Sequence, residues 1–442
     1  MTYAEAVAAL NARENFPQKP PSLLPMREAL HKIGFEQYPL YTKIRQNPER
    51  SIIVAGTNGK GSVCATLEAL LSSAGELCGL YTSPHLVEPT ERMRLNGIDI
   101  SKENFARAYD KIAGLTQGME LTQFEMLTLM AVWYFGSGEA GPVVDRLILE
   151  VGLGGTWDAT NAIPHGMAII TTLGIDHENL LGKTLPEIAE NKFGVVQKIS
   201  EFSNQGMKVI HSRLPNEVES LMKETVKKTG SQWFEVERYS YWVDPMPKEP
   251  KFFLKTEWGE TQLGLQGYRA AQNTALALTA LAHLGFDPAH HMKTIPNVRW
   301  PGRMQRVMFD ASPCPVYLSG DHNVQGLESL GEILGHYRYT RIHFLVGLGL
   351  DKDFNKFLKK LQGVDKGLLY ITETPFRGRS IKDYGFWLVQ AEGAWKDPIE
   401  GLQKIFKLAR PEDLIVVTGS LYLVGGVLKS LQEAKARSFT VV

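Results

Sequence analysis

The stretch Ser51-Ile52-Ile53-Val54-Ala55-Gly56-Thr57-Asn58-Gly59-Lys60-Gly61-Ser62 decides the fold. Its first five residues are apolar or small, as expected of a strand covered on both faces, and a helical pattern follows Ser62. Between the two lies a glycine-rich turn that ends on a lysine. Glycines let the backbone approach phosphate oxygens, the free N–H groups of the turn and helix start donate to them, and Lys60 adds a point charge at the β- and γ-phosphates. Strand, loop, lysine and helix in that order predict a nucleoside triphosphate site made of Gly56, Thr57, Asn58, Gly59, Lys60, Gly61 and Ser62. The spacing is shorter than G-x-x-x-x-G-K-[ST], and Gly61 separates Lys60 from the Ser62 hydroxyl, so a generic kinase or GTPase reading fits poorly.

Working outward, similar apolar runs at Leu77 to Tyr81, Arg146 to Val151 and Met167 to Leu173 alternate with helical patterns. That alternation predicts parallel βαβ units in a doubly wound, mostly parallel α/β sheet. Thr122 and Glu125 have capping-box spacing, and Phe124, Leu127, Ala131 and Tyr134 repeat at helical spacing, predicting a helix packed on that sheet. From Trp233 to Leu265 aromatics and charges alternate, which predicts an antiparallel flap, an insertion or a sheet edge. A helix around Ala270 to Leu284 leads to the Pro-containing stretch Ile295 to Arg303, a linker. Beyond it Val316 to Leu318, Ile342 to Val346, Leu368 to Thr372 and Leu414 to Val417 form a second βα series. The expectation is a nucleotide-binding unit over 1–296 and a smaller, Rossmann-like α/β domain over 297–442.

Three strand ends carry chemistry-bearing residues. Glu150 closes one strand, Asp176-His177 follow the next, and Ser83-Pro84-His85 follow another. In open α/β sheets ligands bind at the carboxyl edge, so Ser83, Glu150 and His177 are candidate metal ligands there. Magnesium accepts one or two protein carboxylates together with waters and phosphate oxygens, and an imidazole less often. Each residue alone has a plainer reading as a turn serine, a strand-end glutamate or a loop histidine.

Lys+Arg and Asp+Glu both number 48, so no global basic excess attracts nucleic acid. Cys64, Cys78 and Cys314 are widely spaced and odd in number, which suits packing in a reducing cytoplasm better than a disulfide framework. Met1 to Asn11 is amphipathic and carries Glu5, unlike a signal peptide, and no run of about 18 apolar residues predicts a membrane span.

The motifs taken together resemble the folylpolyglutamate synthase and dihydrofolate synthase family, within the Mur ligase superfamily. The resemblance rests on GTNGKGS at 56–62, TSPHL at 82–86, ERMRLNG at 91–97, LEVGLGGTWDATN at 149–161, DH at 176–177, PGRMQ at 301–305, GDHN at 320–323, DKD at 351–353 and TGSLYLVG at 418–425. These follow the family's order over most of the chain.

The resemblance implies ATP, magnesium, L-glutamate and a folate-type acceptor, either dihydropteroate or a reduced folate, in a cytoplasmic protein expected to be a monomer. It implies Lys60 and its neighbouring amides for the phosphates, Ser83, Glu150 and His177 for a first magnesium, and Asn273 and Arg303 for ATP. Asp321 and His322 fall where the second domain closes over the γ-phosphate and glutamate. Lys192 aligns with a lysine carried as a carbamate near a second magnesium; its plain alternative is an exposed helical lysine. Departures from the family are Thr156 in place of an arginine, Arg269-Ala270 in place of a His-Gln pair, and Ser319-Gly320-Asp321-His322-Asn323-Val324 in place of D-G-A-H-N-P. The expected chemistry is phosphorylation of the acceptor carboxylate and attack by the glutamate amine on the acyl phosphate, with closure around 295–303 excluding water. The alternatives are a cell-wall Mur-type amino-acid ligase, against which TSPHL and ERMRLNG argue, and a nucleotide-binding regulator without catalysis.

Overall fold

The structure, a computed structural model, describes residues 1–14, 21–199, 206–236, 238–244, 249–350, 352–376 and 378–439. Among those residues the strands form three sheets. The first holds β1 (Ser51–Ala55), β2 (Cys78–Tyr81), β3 (Met93–Leu95), β4 (Ile98–Asp99), β5 (Arg146–Glu150), β6 (Met167–Ile170), β7 (Lys208–His211) and β8 (Gln232–Glu235), in the order β4-β3-β2-β5-β1-β6-β7-β8. Strands β2 to β8 across β5, β1, β6 and β7 pair parallel, while β3 and β4 are antiparallel. β1, β2, β5 and β6 are buried at every residue, the burial that makes their sequences read as unbroken apolar runs. Because β1 lies between β5 and β6, with Val54 opposite Glu150 and Ala55 opposite Ile170, the loops after these three strands share one edge.

A small antiparallel sheet of β9 (Ser240–Asp244), β10 (Lys251–Thr256) and β11 (Gly259–Gln262) follows, as the aromatic–charge alternation predicts. Gln232–Glu235, however, belongs to the main sheet as its parallel edge. The third sheet contains β12 (Gln305–Val307), β13 (Val316–Ser319), β14 (Ile342–Val346), β15 (Gly367–Thr372), β16 (Gly393–Trp395) and β17 (Leu414–Thr418), ordered β12-β13-β17-β14-β15-β16. Only β12 runs antiparallel. The antiparallel small sheet is fastened to this unit: Tyr241 donates to Glu332 at 2.9 Å and Tyr337 donates to Gln266 at 2.6 Å.

The helix Gln123–Gly136 starts with the expected Thr122–Glu125 capping box, worth about 0.5–2 kcal/mol. Its burial differs from the expected stripe. Met126 to Trp133 are buried on all sides, while Phe124 and Tyr134 are only half-buried, because the helix is enclosed between the sheet and the N-terminal helices rather than lying on the surface. The three cysteines are free and buried, as packing residues. One apolar core runs from Ile52, Val54 and Leu67 through Leu276 to Tyr317, Leu330 and Phe344. At about 1.5–3 kcal/mol per fully buried large side chain, it joins the first sheet to the third.

Candidate active site

The phosphate loop lies at the carboxyl end of β1 and is supported by residues following β6. Thr57 N–H donates to Thr172 O at 2.8 Å, Thr57 Oγ1 donates to Gly174 O at 3.0 Å, and the Thr171 and Thr172 hydroxyls donate to Asn58 O at 2.8 and 3.2 Å. Two glycines are required by this packing. Gly56 has φ +144°, and a β carbon there would fall 1.9 Å from Thr171 Oγ1; Gly59 has φ +90°, and a β carbon would fall 2.6 Å from Asn273 Oδ1. The helix Lys60–Ser73 has no side-chain cap, so its first N–H groups point into the loop. Asn273 Oδ1 is buried against Gly59 without a hydrogen-bond partner. An uncapped helix start, a lysine and an orphaned amide oxygen fit a nucleoside triphosphate. Trp300 lies against Gly61, and a cavity of about 530 Å³ has Trp300 and Arg303 in its wall.

Lys60 Nζ donates to Gly56 O at 3.1 Å and to Thr57 O at 3.3 Å. Lys192 is held by the helix Leu185–Phe193, which opens on a Thr184–Glu187 capping box, and it is 4% exposed. Its Nζ donates to the same Gly56 O at 3.0 Å. Burial, then the neighbouring Lys60 charge, push the Lys192 amine down to about 7, against the opposing pull of Asp176 and Asp158. Lys192 is therefore not the exposed helical lysine of the plain alternative.

Of the candidate metal ligands, Ser83 and Glu150 meet: Ser83 N–H donates to Glu150 Oε2 at 3.0 Å. Burial raises the Glu150 carboxyl, while Lys60, the Ser83 N–H, Arg303 and Arg92 oppose the rise. His177 stands exposed at φ +52°, opening the short helix Glu178–Leu181. Among the described residues no group of three or more His, Cys, Asp or Glu side chains assembles that could hold a metal. One buried carboxylate beside a hydroxyl-bearing residue at a phosphate loop still fits magnesium, whose other ligands come from phosphate oxygens and water.

The third sheet supplies the facing wall. Asp321 lies 3.9 Å from Arg303 and accepts from Ser319 Oγ at 2.5 Å, and Gly320 N–H donates to Gly302 O at 2.8 Å. His322 Nδ1–H donates to Gly320 O at 3.0 Å, which leaves the lone pair on Nε2, 3.9 Å from Asp176. Burial, then Lys352, push the His322 ring down to about 4.

Several participants lie in motifs already singled out, but their pairings carry no sequence signal. Asp176 accepts from Lys352 Nζ at 3.0 Å and from Asn323 Nδ2 at 3.1 Å, partners 176 and 147 residues away. Although its burial favours the neutral acid, Lys352, His177 and His322 hold its carboxyl well below the ordinary range. Asp158 accepts N–H bonds from Gly152 and Leu153 at 3.0 and 2.9 Å, fixing the loop after Glu150. Arg92 Nε donates to His85 Nδ1 at 2.8 Å, a pairing signalled only by the nearness of TSPHL and ERMRLNG in sequence.

Residues 302–421 match the family described as Mur ligase, glutamate ligase domain. The dihydrofolate synthase/folylpolyglutamate synthase of Buchnera aphidicola subsp. Acyrthosiphon pisum is 31% identical, the match covering 85% of this chain and 88% of that protein. Folylpolyglutamate synthase of Mycobacterium tuberculosis complexed with ADP superposes with a TM-score of 0.83 at 25% identity, covering 97% of this chain and 98% of that one. Escherichia coli FolC in complex with DHPP and ADP superposes with a TM-score of 0.81 at 25% identity, covering 98% of this chain and 99% of that one. With a relative above 30% identity over most of both sequences and the same fold throughout, the chain belongs to the dihydrofolate synthase/folylpolyglutamate synthase family.

Proposed function

We propose that the chain is an ATP-dependent carbon–nitrogen ligase that adds L-glutamate to the carboxylate of a folate-type acceptor, dihydropteroate or a reduced folate, through an acyl phosphate. The observation that carries the reading is the meeting at one edge of the uncapped helix start, Lys60 and Glu150, faced by Asp321, His322 and Asn323 of the third sheet. Relatives solved with ADP support the nucleotide.

In this reading an acceptor carboxylate oxygen attacks the γ-phosphorus, the bond to the bridging oxygen breaks and ADP leaves. The glutamate ammonium gives one proton to solvent, the free amine attacks the acyl carbon, and inorganic phosphate leaves with the bonding pair and takes up the second proton from the nitrogen. Lys60 and the helix N–H groups bind and orient the phosphates, with Asn273 and Arg303 on the nucleotide. Ser83, Glu150 and His177 are assigned to magnesium, which when bound offsets charge on the phosphate oxygens. His322 is a weak base at neutral pH, so its Nε2 serves to accept a hydrogen bond from the incoming ammonium rather than to take its proton. Lys192 acts as a carbamate. Residues 1–296 hold ATP and acceptor, residues 297–442 bring glutamate, and exclusion of water between them protects the acyl phosphate. Three buried free thiols support a cytoplasmic setting, and the working unit is a monomer.

The test is ADP release with glutamate and each of the two pteridine acceptors. Release that depends on both co-substrates is expected. Absence of glutamate-dependent release with either acceptor would point to the non-catalytic regulator or to another amide ligase.

A further inference from the structure

The phosphate loop is gripped from the side of the third sheet through one residue, Asn58. Its Nδ2 donates to Gln325 Oε1 at 2.7 Å and lies 3.4 Å from Asn323 Oδ1, while its Oδ1 accepts from Asn323 Nδ2 at 3.3 Å. Asn58 O is already engaged by the Thr171 and Thr172 hydroxyls, so backbone and side chain are held from opposite sides. Gln325 also fills the space beside Gly174, where a β carbon would fall 2.9 Å from its Oε1. Gly174 in turn bonds Thr57 of the same loop, through both its carbonyl and its N–H.

Asn323 caps the helix Val324–Leu334, accepting from Gly326 N–H at 2.8 Å, and this fixes the direction from which Gln325 approaches. Asp176, tied to Lys352 and Asn323, anchors the contact next to the loop. A loop rich in glycine has little shape of its own. Its backbone at Asn58 is held from the first sheet, and the unit carrying Gln325, when docked, fixes the Asn58 side chain.

We propose that Gln325 is a positioning residue that sets the phosphate loop through Asn58, so that the loop takes its phosphoryl-transferring shape only while the glutamate-carrying unit is docked. The inference rests on the ligase reading above and explains how an acyl phosphate would form only where glutamate can intercept it. Were the loop competent without docking, water would take the place of the amine and return carboxylate and inorganic phosphate for each ADP released.

The full-length chain carrying Gln325→Met, which keeps length and removes the acceptor, tests this, with Gln325→Ala as a second variant should the first fold poorly. A hydrogen bond of ordinary net strength corresponds to roughly a two- to tenfold change. ADP release and amide formation should fall together by that factor, because a loop that has lost its docked shape transfers the phosphoryl group more slowly. In an Asn58→Ala background Gln325→Met should add nothing further, because it acts through Asn58. Amide hydrogen exchange over 56–62 in the nucleotide-free chain should quicken several-fold in the single variant, a readout that needs no turnover. Unchanged exchange together with an unchanged rate of ADP release, or full additivity with Asn58→Ala, overturns the proposal. A wild-type chain with no ligase turnover but with the exchange difference intact would instead remove the ligase reading.

Discussion

Lys60 and Lys192 donate to the same carbonyl oxygen, that of Gly56, at 3.1 and 3.0 Å. Burial first, and then repulsion between two ammonium groups on one acceptor, bring the Lys192 amine down to about 7. A neutral amine is the form that reacts with carbon dioxide, and the resulting carbamate exchanges repulsion of Lys60 for attraction. Intact mass or density should show one added carboxyl group on Lys192, and Lys192→Ala should regain activity with short carboxylates such as acetate. An unmodified Lys192 with nucleotide and magnesium bound would show that the protein works without it.

The Lys60 ammonium hydrogen-bonds to loop carbonyls, those of Gly56 and Thr57, so its truncation should spare the fold. Lys60→Ala is expected to lower kcat by ~10²-fold or more, the usual cost of losing a preorganised charged donor at a transferring group. A kcat within about threefold of wild type, at unchanged melting temperature, would exclude Lys60 from phosphoryl transfer.

For Glu150, the amide variant separates charge from shape. Glu150→Gln keeps an oxygen for the Ser83 N–H and loses the anion, so the magnesium concentration giving half-maximal rate should rise steeply. An unchanged magnesium dependence would take Glu150 out of the metal site.

How much of this was readable beforehand follows from how each signal is carried. β1, β5 and β6 announce themselves because both faces are buried and their centres are apolar throughout; β12 and β16, three-residue edge strands, have no such run to mark them. The phosphate loop is one contiguous segment, and its chemistry sits in adjacent letters. The spacing of Phe124, Leu127, Ala131 and Tyr134 marks the helix, but a helix enclosed on all sides has no single apolar stripe, so it does not rank these residues by burial. Lys352, Asn323 and Gln325 act by meeting Asp176 and Asn58 from another sheet, and no periodicity or spacing links positions so far apart.

Away from the site, buried His343 bridges Tyr370 at 3.1 Å and Asp413 at 3.2 Å. Burial alone would raise the Asp413 carboxyl, but the Arg410 N–H and His343 together hold it below the ordinary carboxylate range. The unfolded chain therefore takes up this proton first as pH falls, so the stabilisation is present above about pH 4 and is lost below it. Asp413→Asn should destabilise at neutral pH by about 1–3 kcal/mol and flatten the acid limb of the stability curve. Wild-type and variant curves that stay parallel into acid would contradict this.

His85 offers the last prediction, and it concerns which ring nitrogen carries the proton. Arg92 Nε donates to His85 Nδ1 at 2.8 Å, and a guanidinium can only donate, so Nδ1 must present its lone pair and the proton must sit on Nε2. The geometry is enforced: Arg92 is buried, and the Glu91 carboxylate collects the N–H groups of Leu86, Val87 and Glu88 at 2.7, 2.9 and 2.8 Å, fixing the segment between them. His85 follows Ser83 by two residues, and Ser83 touches Glu150, so Nε2–H is a donor close to the edge at which the proposed ligase would bind its acceptor. Nitrogen NMR of labelled histidine should report the Nε2–H tautomer, and Arg92→Met should mix the two. If the donor matters to binding, His85→Ala should raise the KM for the acceptor by up to about tenfold. His85→Gln, which can still present an N–H, should raise it less. An Nδ1–H ring in the wild-type chain would mean that Arg92 and His85 do not pair as described.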